Sequence, residues 1–208
     1  EEKALKAVKG SLRAIASGEE EACEKLMYGL ILSGLAMQMA GNSRPASGAE
    51  HHMSHFWEME VINGSLDALH GEKVSVGTLL VLEEYKKTAQ AISEKRCKVK
   101  EYEDRDEELL LETFGKKGIL EKIRKENEPE LLLEVQPEHL KECLPEIAEI
   151  IEKLPEPEEM RTLLEKAGCR RKLTDIGLSK EDKELSLRLS PYVRRRLTFM
   201  RVSKMLEI

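Results

Sequence analysis

Aromatic side chains are scarce in this sequence of 208 residues, where Phe, Trp and Tyr together make up 4% of the composition. We therefore expect a core built from Leu, Ile, Val, Ala and Met. Long apolar runs are missing as well, and a membrane-spanning helix needs roughly eighteen or more consecutive apolar residues. The first residues contain no apolar signal core. The sequence therefore predicts a cytoplasmic chain without a membrane span.

Positive charge and paired cysteines are also limited. The sequence has 34 basic against 40 acidic residues, which gives a net charge of −6. A general nucleic-acid-binding protein would be basic, so we expect no nucleic-acid partner. The four cysteines are scattered and form no C-x-x-C pair, which favours free thiols over disulfides or a cysteine metal site. They are Cys23, Cys97, Cys143 and Cys169.

Glycine-rich nucleotide-binding motifs are absent. The thirteen glycines include no G-x-G-x-x-G, no G-G-G and no G-x-x-x-x-G-K-S/T. An α/β nucleotide-binding domain also needs several alternating strands, and the only β-leaning run is short, at residues 131–135. The sequence therefore predicts an all-α fold.

Helical periodicity recurs along the whole chain. A first helix places Leu5, Val8, Leu12 and Ile15 at helical spacing. A second helix, from about 19 to 39, is apolar almost all round, which is typical of a helix in the centre of a bundle. Further helices are predicted at 49–62, from 70 onward, and at 107–114, 119–126, 139–153, 158–167, 180–189 and 192–205, punctuated by Pro145, Pro155 and Pro157.

Four of the five histidines lie within residues 51–70. His51 and His55 are four residues apart, so they share one face of a helix. His70 follows after a polar break at residues 63–65. Two stacked imidazoles and a third across a turn are what a divalent metal, or a metal with an acid/base group, requires. An isolated H-x-x-x-H pair is more often structural, so the residues around it must indicate whether these histidines bind a metal.

That surrounding sequence resembles a known family. The segment Ser43-Arg-Pro-Ala-Ser-Gly-Ala-Glu-His-His-Met-Ser-His55 is similar to the signature of the sn-glycerol-1-phosphate dehydrogenases. These enzymes belong to a wider superfamily with iron-type alcohol dehydrogenases, glycerol dehydrogenase and 3-dehydroquinate synthase. The run His70-Gly71-Glu72-Lys73-Val74 resembles the opening of that superfamily's next helix. Residues 175–179 and 192–198 resemble its closing segments more weakly, so only the histidine region is specific.

The resemblance implies that residues 1–208 are a helical domain that binds metal and substrate. It would be an orthogonal multi-helix bundle, the C-terminal domain of a dehydroquinate synthase-like fold. The superfamily's cofactor domain is not found in the sequence, and neither is the segment that carries its acidic metal ligand. We therefore expect these residues alone to be inactive and two histidines alone to hold a metal weakly. The apolar surface that the cofactor domain would cover is expected to stay exposed and to drive homo-oligomerisation.

The resemblance also implies a reaction and its residues. The reaction is the NAD(P)-dependent reduction of dihydroxyacetone phosphate to sn-glycerol 1-phosphate, with a divalent metal (zinc, or nickel or iron) as second cofactor. By motif match, His51 and His70 bind the metal, while His55 contacts the substrate or moves a proton. Arg44 would meet the substrate phosphate or pack its loop against a neighbouring domain. If the register shifts by one residue, His52 replaces His51 as ligand.

Two alternatives stay open. The first is another enzyme of this architecture, such as a glycerol or polyol dehydrogenase or a dehydroquinate synthase. The Arg44-Pro-Ala-Ser-Gly48 lead-in argues against it. The second is a non-catalytic helical interaction module whose histidines are structural. The remaining histidine, His139, stands alone near a predicted helix start and is expected at the surface.

Overall fold

The computed structural model describes residues 12–208, so Leu5 and Val8 of the predicted first helix lie outside the described residues. Within this range the chain forms ten α-helices. They are α1 (Leu12–Ala16), α2 (Glu20–Ala40), α3 (Ala49–Glu58), α4 (His70–Ser93), α5 (Glu107–Phe114), α6 (Leu120–Glu126), α7 (Pro137–Glu152), α8 (Pro157–Lys166), α9 (Asp182–Leu189) and α10 (Phe199–Val202).

Strands make up very little of the fold. Two strands of two residues each, β1 (Lys98–Val99) and β2 (Leu206–Glu207), pair in antiparallel register and form the single sheet of the described residues. Five short 3-10 turns connect the helices. They cover Gly115–Lys117, Leu131–Glu134, Leu173–Ile176, Ser190–Val193 and Ser203–Met205. The predicted all-α fold is confirmed.

Some predicted boundaries are wrong. The β-leaning run at 131–135 is mostly a 3-10 turn, whereas α7 continues through the exposed Pro145, as the predicted helix at 139–153 does. The predicted helix at 192–205 is broken. Arg195 Nε donates to the Pro129 carbonyl at 2.8 Å, and Arg196 Nη1 donates to the Ser47 carbonyl at 2.9 Å. These two tertiary bonds hold the arginine segment extended.

The main core forms around α3. Met53, Phe56 and Trp57 of this helix are fully buried. The Phe56 and Phe114 rings meet edge to face with centroids 5.8 Å apart, and Trp57 Nε1 donates to Ser186 Oγ at 2.8 Å. Most of the buried side chains in this core are Leu, Ile, Val, Ala and Met, as the composition predicted, and a few aromatic side chains pack among them. One side of α3 is anchored to the bundle by large side chains.

Helices α3 and α4 approach each other closely at a glycine. A Cβ atom placed on Gly77 would lie 2.9 Å from the backbone oxygen of Glu50, which is closer than van der Waals contact allows. Glycine at this position therefore permits the contact between the two helices. The contact brings the start of α4 alongside the exposed side of α3.

Helix α2 is largely exposed although it is rich in apolar residues. Its buried residues are Ala22 and Gly29, and its main packing partner among the described elements is the short α1. The predicted helix is therefore confirmed, but its predicted central place is wrong for the described structure. Six large apolar side chains of α2 are exposed: Met27, Tyr28, Leu30, Ile31, Leu35 and Met39. None of the described helices has the length and hydropathy to cross a membrane.

We predict that the chain of 208 residues self-associates through α2, because exposed apolar surface is removed from water on association. The variant Ile31→Lys, which places a charge in the middle of that face, should shift the chain toward monomer. Leu111→Lys is the control, since Leu111 is equally exposed on a different helix. Size-exclusion chromatography with light scattering measures both. A wild-type chain that is monomeric at high concentration would contradict the prediction.

We also predict that Gly77→Ala lowers the free energy of unfolding by roughly 1–3 kcal/mol, because the methyl group must push α4 away from Glu50. Gly71→Ala in the same helix is the control, since a Cβ atom there meets nothing within 4 Å. Chemical denaturation monitored by the Trp57 fluorescence measures both variants. Equal stability of the two variants would show that the close helix contact does not constrain the fold.

Candidate metal and substrate site

Three imidazoles converge where α3 meets the start of α4. His51 and His55 lie one turn apart on α3, and His70 is the first residue of α4. The ring centroid of His70 is 5.5 Å from that of His51 and 5.1 Å from that of His55. All three rings are partly exposed. The structure thus brings together the three histidines that the motif singled out.

The position of His70 is fixed by the way α4 begins. The side chain of Glu72 accepts a hydrogen bond from the backbone N–H of Leu69 at 2.9 Å, which caps the helix at its first turn. Arg170 in turn donates to Glu72 at 3.2 Å. The Leu-His-Gly-Glu run therefore encodes the start of α4 as well as a candidate ligand.

A glutamate joins the histidines. Glu58, one turn after His55, lies with Oε2 2.9 Å from His55 Nδ1 and with Oε1 2.8 Å from His70 Nδ1. The three residues each offer a ligand atom, and these atoms all lie within 4.8 Å of one another. The motif did not identify Glu58. Its spacing of three from His55 is the signal that could have done so, because residues at i and i+3 share a helix face.

The Glu58 carboxylate is surrounded by donors. Besides the two imidazoles, Ser54 Oγ and Lys73 Nζ each lie 3.4 Å from Oε1. Burial raises the pKa of Glu58, but the hydrogen bonds from His70 and His55 and the nearby Lys73 charge outweigh burial and hold this pKa at about 2. Glu58 is therefore ionised at neutral pH.

His51 has a carboxylate partner of its own. Its Nδ1 atom lies 2.8 Å from Glu50 Oε1, and that oxygen also accepts the backbone N–H of Gly48 at 2.8 Å. Burial raises the pKa of Glu50, whereas the bonds from His51 and Gly48 lower it, and the net shift is downward. A Cβ atom on Gly48 would lie 2.7 Å from the Glu50 carboxylate, so glycine keeps this arrangement open.

His52 points the other way. Its side chain is in the core with 1% exposure, and neither ring nitrogen has a hydrogen-bond partner among the described residues. Burial lowers the pKa of His52 to about 4, so its ring is neutral at neutral pH. The alternative register, with His52 in place of His51, would therefore require a buried ring as ligand.

Arg44 lies in the loop before α3 with an exposed side chain, and its backbone N–H donates to Asn42 Oδ1 at 2.9 Å. Its guanidinium makes no hydrogen bond or ion pair within residues 12–208 that would fix it. Arg196, which lies within the predicted helix at 192–205, is the arginine that contacts this loop. It donates to the Ser43 hydroxyl at 2.7 Å as well as to the Ser47 carbonyl.

The grouped ligand atoms of His55, Glu58 and His70 suit a divalent metal; His51 is not in this group, although its ring lies next to that of His70. Imidazole nitrogen suits zinc, nickel and iron, and a carboxylate oxygen can serve as a further ligand. The remaining histidine, His139, has a side chain that is 75% exposed, which agrees with the predicted surface position. The four cysteines are free thiols.

Comparison with known proteins gives a consistent set of relatives. The glycerol-1-phosphate dehydrogenase (NAD(P)+) of Geobacillus stearothermophilus is 35% identical over 175 residues, which are 84% of this chain and 36% of the relative. The enzyme of the same name from Halalkalibacterium halodurans is 32% identical over 189 residues, 89% of this chain and 39% of the relative. The one from Pyrococcus horikoshii is 47% identical over 64 residues, 31% of this chain and 18% of the relative.

No family model matches the chain, and no solved structure matches it. The chain spans little more than a third of the length of the first two relatives. Its similarity to them nevertheless extends over most of its own residues. The predicted resemblance is therefore confirmed: over most of its length, this chain is similar to glycerol-1-phosphate dehydrogenases.

Proposed function

We propose that this chain is the metal- and substrate-binding helical part of an NAD(P)-dependent enzyme that reduces dihydroxyacetone phosphate to sn-glycerol 1-phosphate. The convergence of His51, His55 and His70 is the observation that carries the proposal. The similarity to glycerol-1-phosphate dehydrogenases supports the substrate assignment. The alternative of a non-catalytic helical interaction module is disfavoured, because structural histidines would not need to meet at a partly exposed site.

His51 and His70 are the proposed metal ligands. Their rings come from two different helices and are adjacent, and both are accessible from solvent. His51 is favoured over His52 because the His52 ring is buried. A divalent metal held there would act as a Lewis acid on the substrate carbonyl oxygen. Zinc is the first candidate, with nickel and iron as alternatives.

His55 is the proposed catalytic residue. Bound NAD(P)H would supply the hydride for C2 of dihydroxyacetone phosphate, and the former carbonyl oxygen would then need one proton. The imidazole of His55 is next to His70, so a substrate oxygen near the metal ligands is within reach of its ring. Glu58 accepts a hydrogen bond from Nδ1–H of His55, so the imidazolium form of His55 would give its Nε2 proton to the substrate oxygen, and the neutral ring would take that proton back through Nε2 in the reverse reaction.

Arg44 is the proposed phosphate contact. Its guanidinium is exposed and lies in the loop that leads directly into α3. Hydrogen bonds from Arg196 hold that loop in place, so Arg44 is not needed for this and can contact an anion. Arginine can bind a phosphate with two parallel hydrogen bonds.

The test is a steady-state assay on the protein as its cell makes it, with dihydroxyacetone phosphate and dihydroxyacetone compared at equal concentration. We expect a clear preference for the phosphorylated ketone. His55→Asn should lower kcat by roughly 10²–10⁴-fold, the usual contribution of a proton-transferring side chain. His139→Asn on the exposed surface is the matched control and should leave kcat unchanged. Equal rates on both ketones, or full activity of His55→Asn, would refute the assignment.

We further predict that the 208 residues alone do not oxidise NAD(P)H in the presence of dihydroxyacetone phosphate and zinc. The reason is that the sequence has no glycine-rich motif that could bind the dinucleotide pyrophosphate. Absorbance at the reduced nicotinamide band measures turnover directly. Turnover that increases in proportion to the concentration of the purified chain would contradict this prediction.

A further inference from the structure

The structure assigns a role to a residue that the motif leaves out. We propose that Glu58 is a positioning residue, which holds the Nδ1 protons of His55 and His70 and so presents the Nε2 atom of each ring to metal and substrate. The proposal concerns how the site is built. Its consequence for metal binding rests on the proposed function.

The protonation of the two rings follows from the acceptor. An ionised carboxylate can only accept hydrogen bonds, and both of its oxygens face a ring nitrogen. His55 Nδ1 lies 2.9 Å from Oε2 and His70 Nδ1 lies 2.8 Å from Oε1, so both Nδ1 atoms must carry the proton. In a neutral imidazole the lone pair is then on Nε2. One carboxylate thereby selects the same tautomer in two rings on two different helices.

The carboxylate is itself held in place. Glu58 is 29% exposed at its side chain, and Ser54 Oγ and Lys73 Nζ both approach Oε1. Lys73 is almost buried, so its ammonium group has few other positions. Because the carboxylate is fixed from its own helix and from α4, the two rings bound to it have a defined separation and direction.

The third imidazole repeats the arrangement independently. His51 Nδ1 is bound to Glu50, and this contact shares no residue with Glu58. Throughout the described chain, the hydrogen bonds of these three rings are made by Nδ1, with no partner at Nε2. Three Nδ1 atoms on carboxylates and three free Nε2 atoms form a pattern that a purely structural cluster does not require.

This pattern is the one that metal-binding histidines use. A histidine ligand typically donates its second N–H to a carboxylate, which fixes the tautomer and makes the ligating nitrogen more basic. Glu58 could instead be a direct ligand, since its oxygens lie within the same group of ligand atoms. Direct ligation would place an ion where the two Nδ1–H bonds now lie and would break both. The two short bonds therefore favour the positioning role.

The first test needs no metal and no activity. Long-range ¹H–¹⁵N correlation spectra of the chain report which nitrogen of each histidine carries the proton. We expect Nδ1–H in His51, His55 and His70. Nε2–H at His55 or His70 in the wild-type chain would overturn the proposal outright, whatever the enzyme proves to catalyse.

Substitution then separates the two carboxylates. Glu58→Gln should move His55 and His70 toward the Nε2–H tautomer and leave His51 unchanged, whereas Glu50→Gln should affect His51 alone. Glu142→Gln is the matched control, because His139 and Glu142 have the same spacing of three on an exposed helix face. Backbone amide spectra establish that each variant is folded. A Glu58→Gln variant that is folded and keeps all three tautomers would refute the proposal.

The second test uses zinc alone. Glu58→Gln should weaken zinc binding by about 10–100-fold in calorimetry, the usual effect of removing a carboxylate behind a histidine ligand. The ¹⁵N shifts of the zinc-bound wild-type chain should show ligation through Nε2. Ligation through Nδ1 would show instead that Glu58 and the rings bind the ion directly. If the wild-type chain binds no zinc, the proposed function loses its metal, while the tautomer measurement still decides the role of Glu58.

Discussion

The close contact between α3 and α4 at Gly77 and Glu50 is the constraint on which the site depends. A side chain at Gly77 would push the helices apart, because its Cβ atom would meet the Glu50 carbonyl. With the helices in contact, the start of α4 lies beside the exposed face of α3. His70 can then reach the His51 and His55 rings, and Glu58 can bridge two of them.

Helix α3 divides its residues between two tasks. Met53, Phe56 and Trp57 fill the core, and their burial prevents the helix from rotating about its axis. The opposite face carries the site. Because the core side fixes the rotation, adjacent residues such as His51 and His52 have different environments, one at the site and one in the interior. Core packing and two members of the histidine cluster are thus encoded in the same ten residues.

The sequence predicted some parts of this structure better than others. The proximity of His51, His55 and His70 could be predicted from the sequence, because helix periodicity places the first two on one face and the family motif adds the third. Glu58 was not predicted, because its role requires His70 from another helix. The arginine segment at 194–196 was predicted as helix, but tertiary bonds to two distant loops override local propensity. Exposure of α2 could not be predicted from hydrophobicity alone, because an apolar pattern indicates burial without naming the partner.

The most direct test of the central claim is X-ray absorption spectroscopy of the zinc-loaded chain. The account predicts nitrogen ligands at about 2.0 Å with the outer-shell scattering of at least two imidazoles, because the adjacent rings of His51 and His70 each have an Nε2 atom without a partner among the described residues. The imidazole signal should fall in His51→Ala and stay in His139→Ala. A spectrum with oxygen ligands alone, unchanged in His51→Ala, would contradict the account.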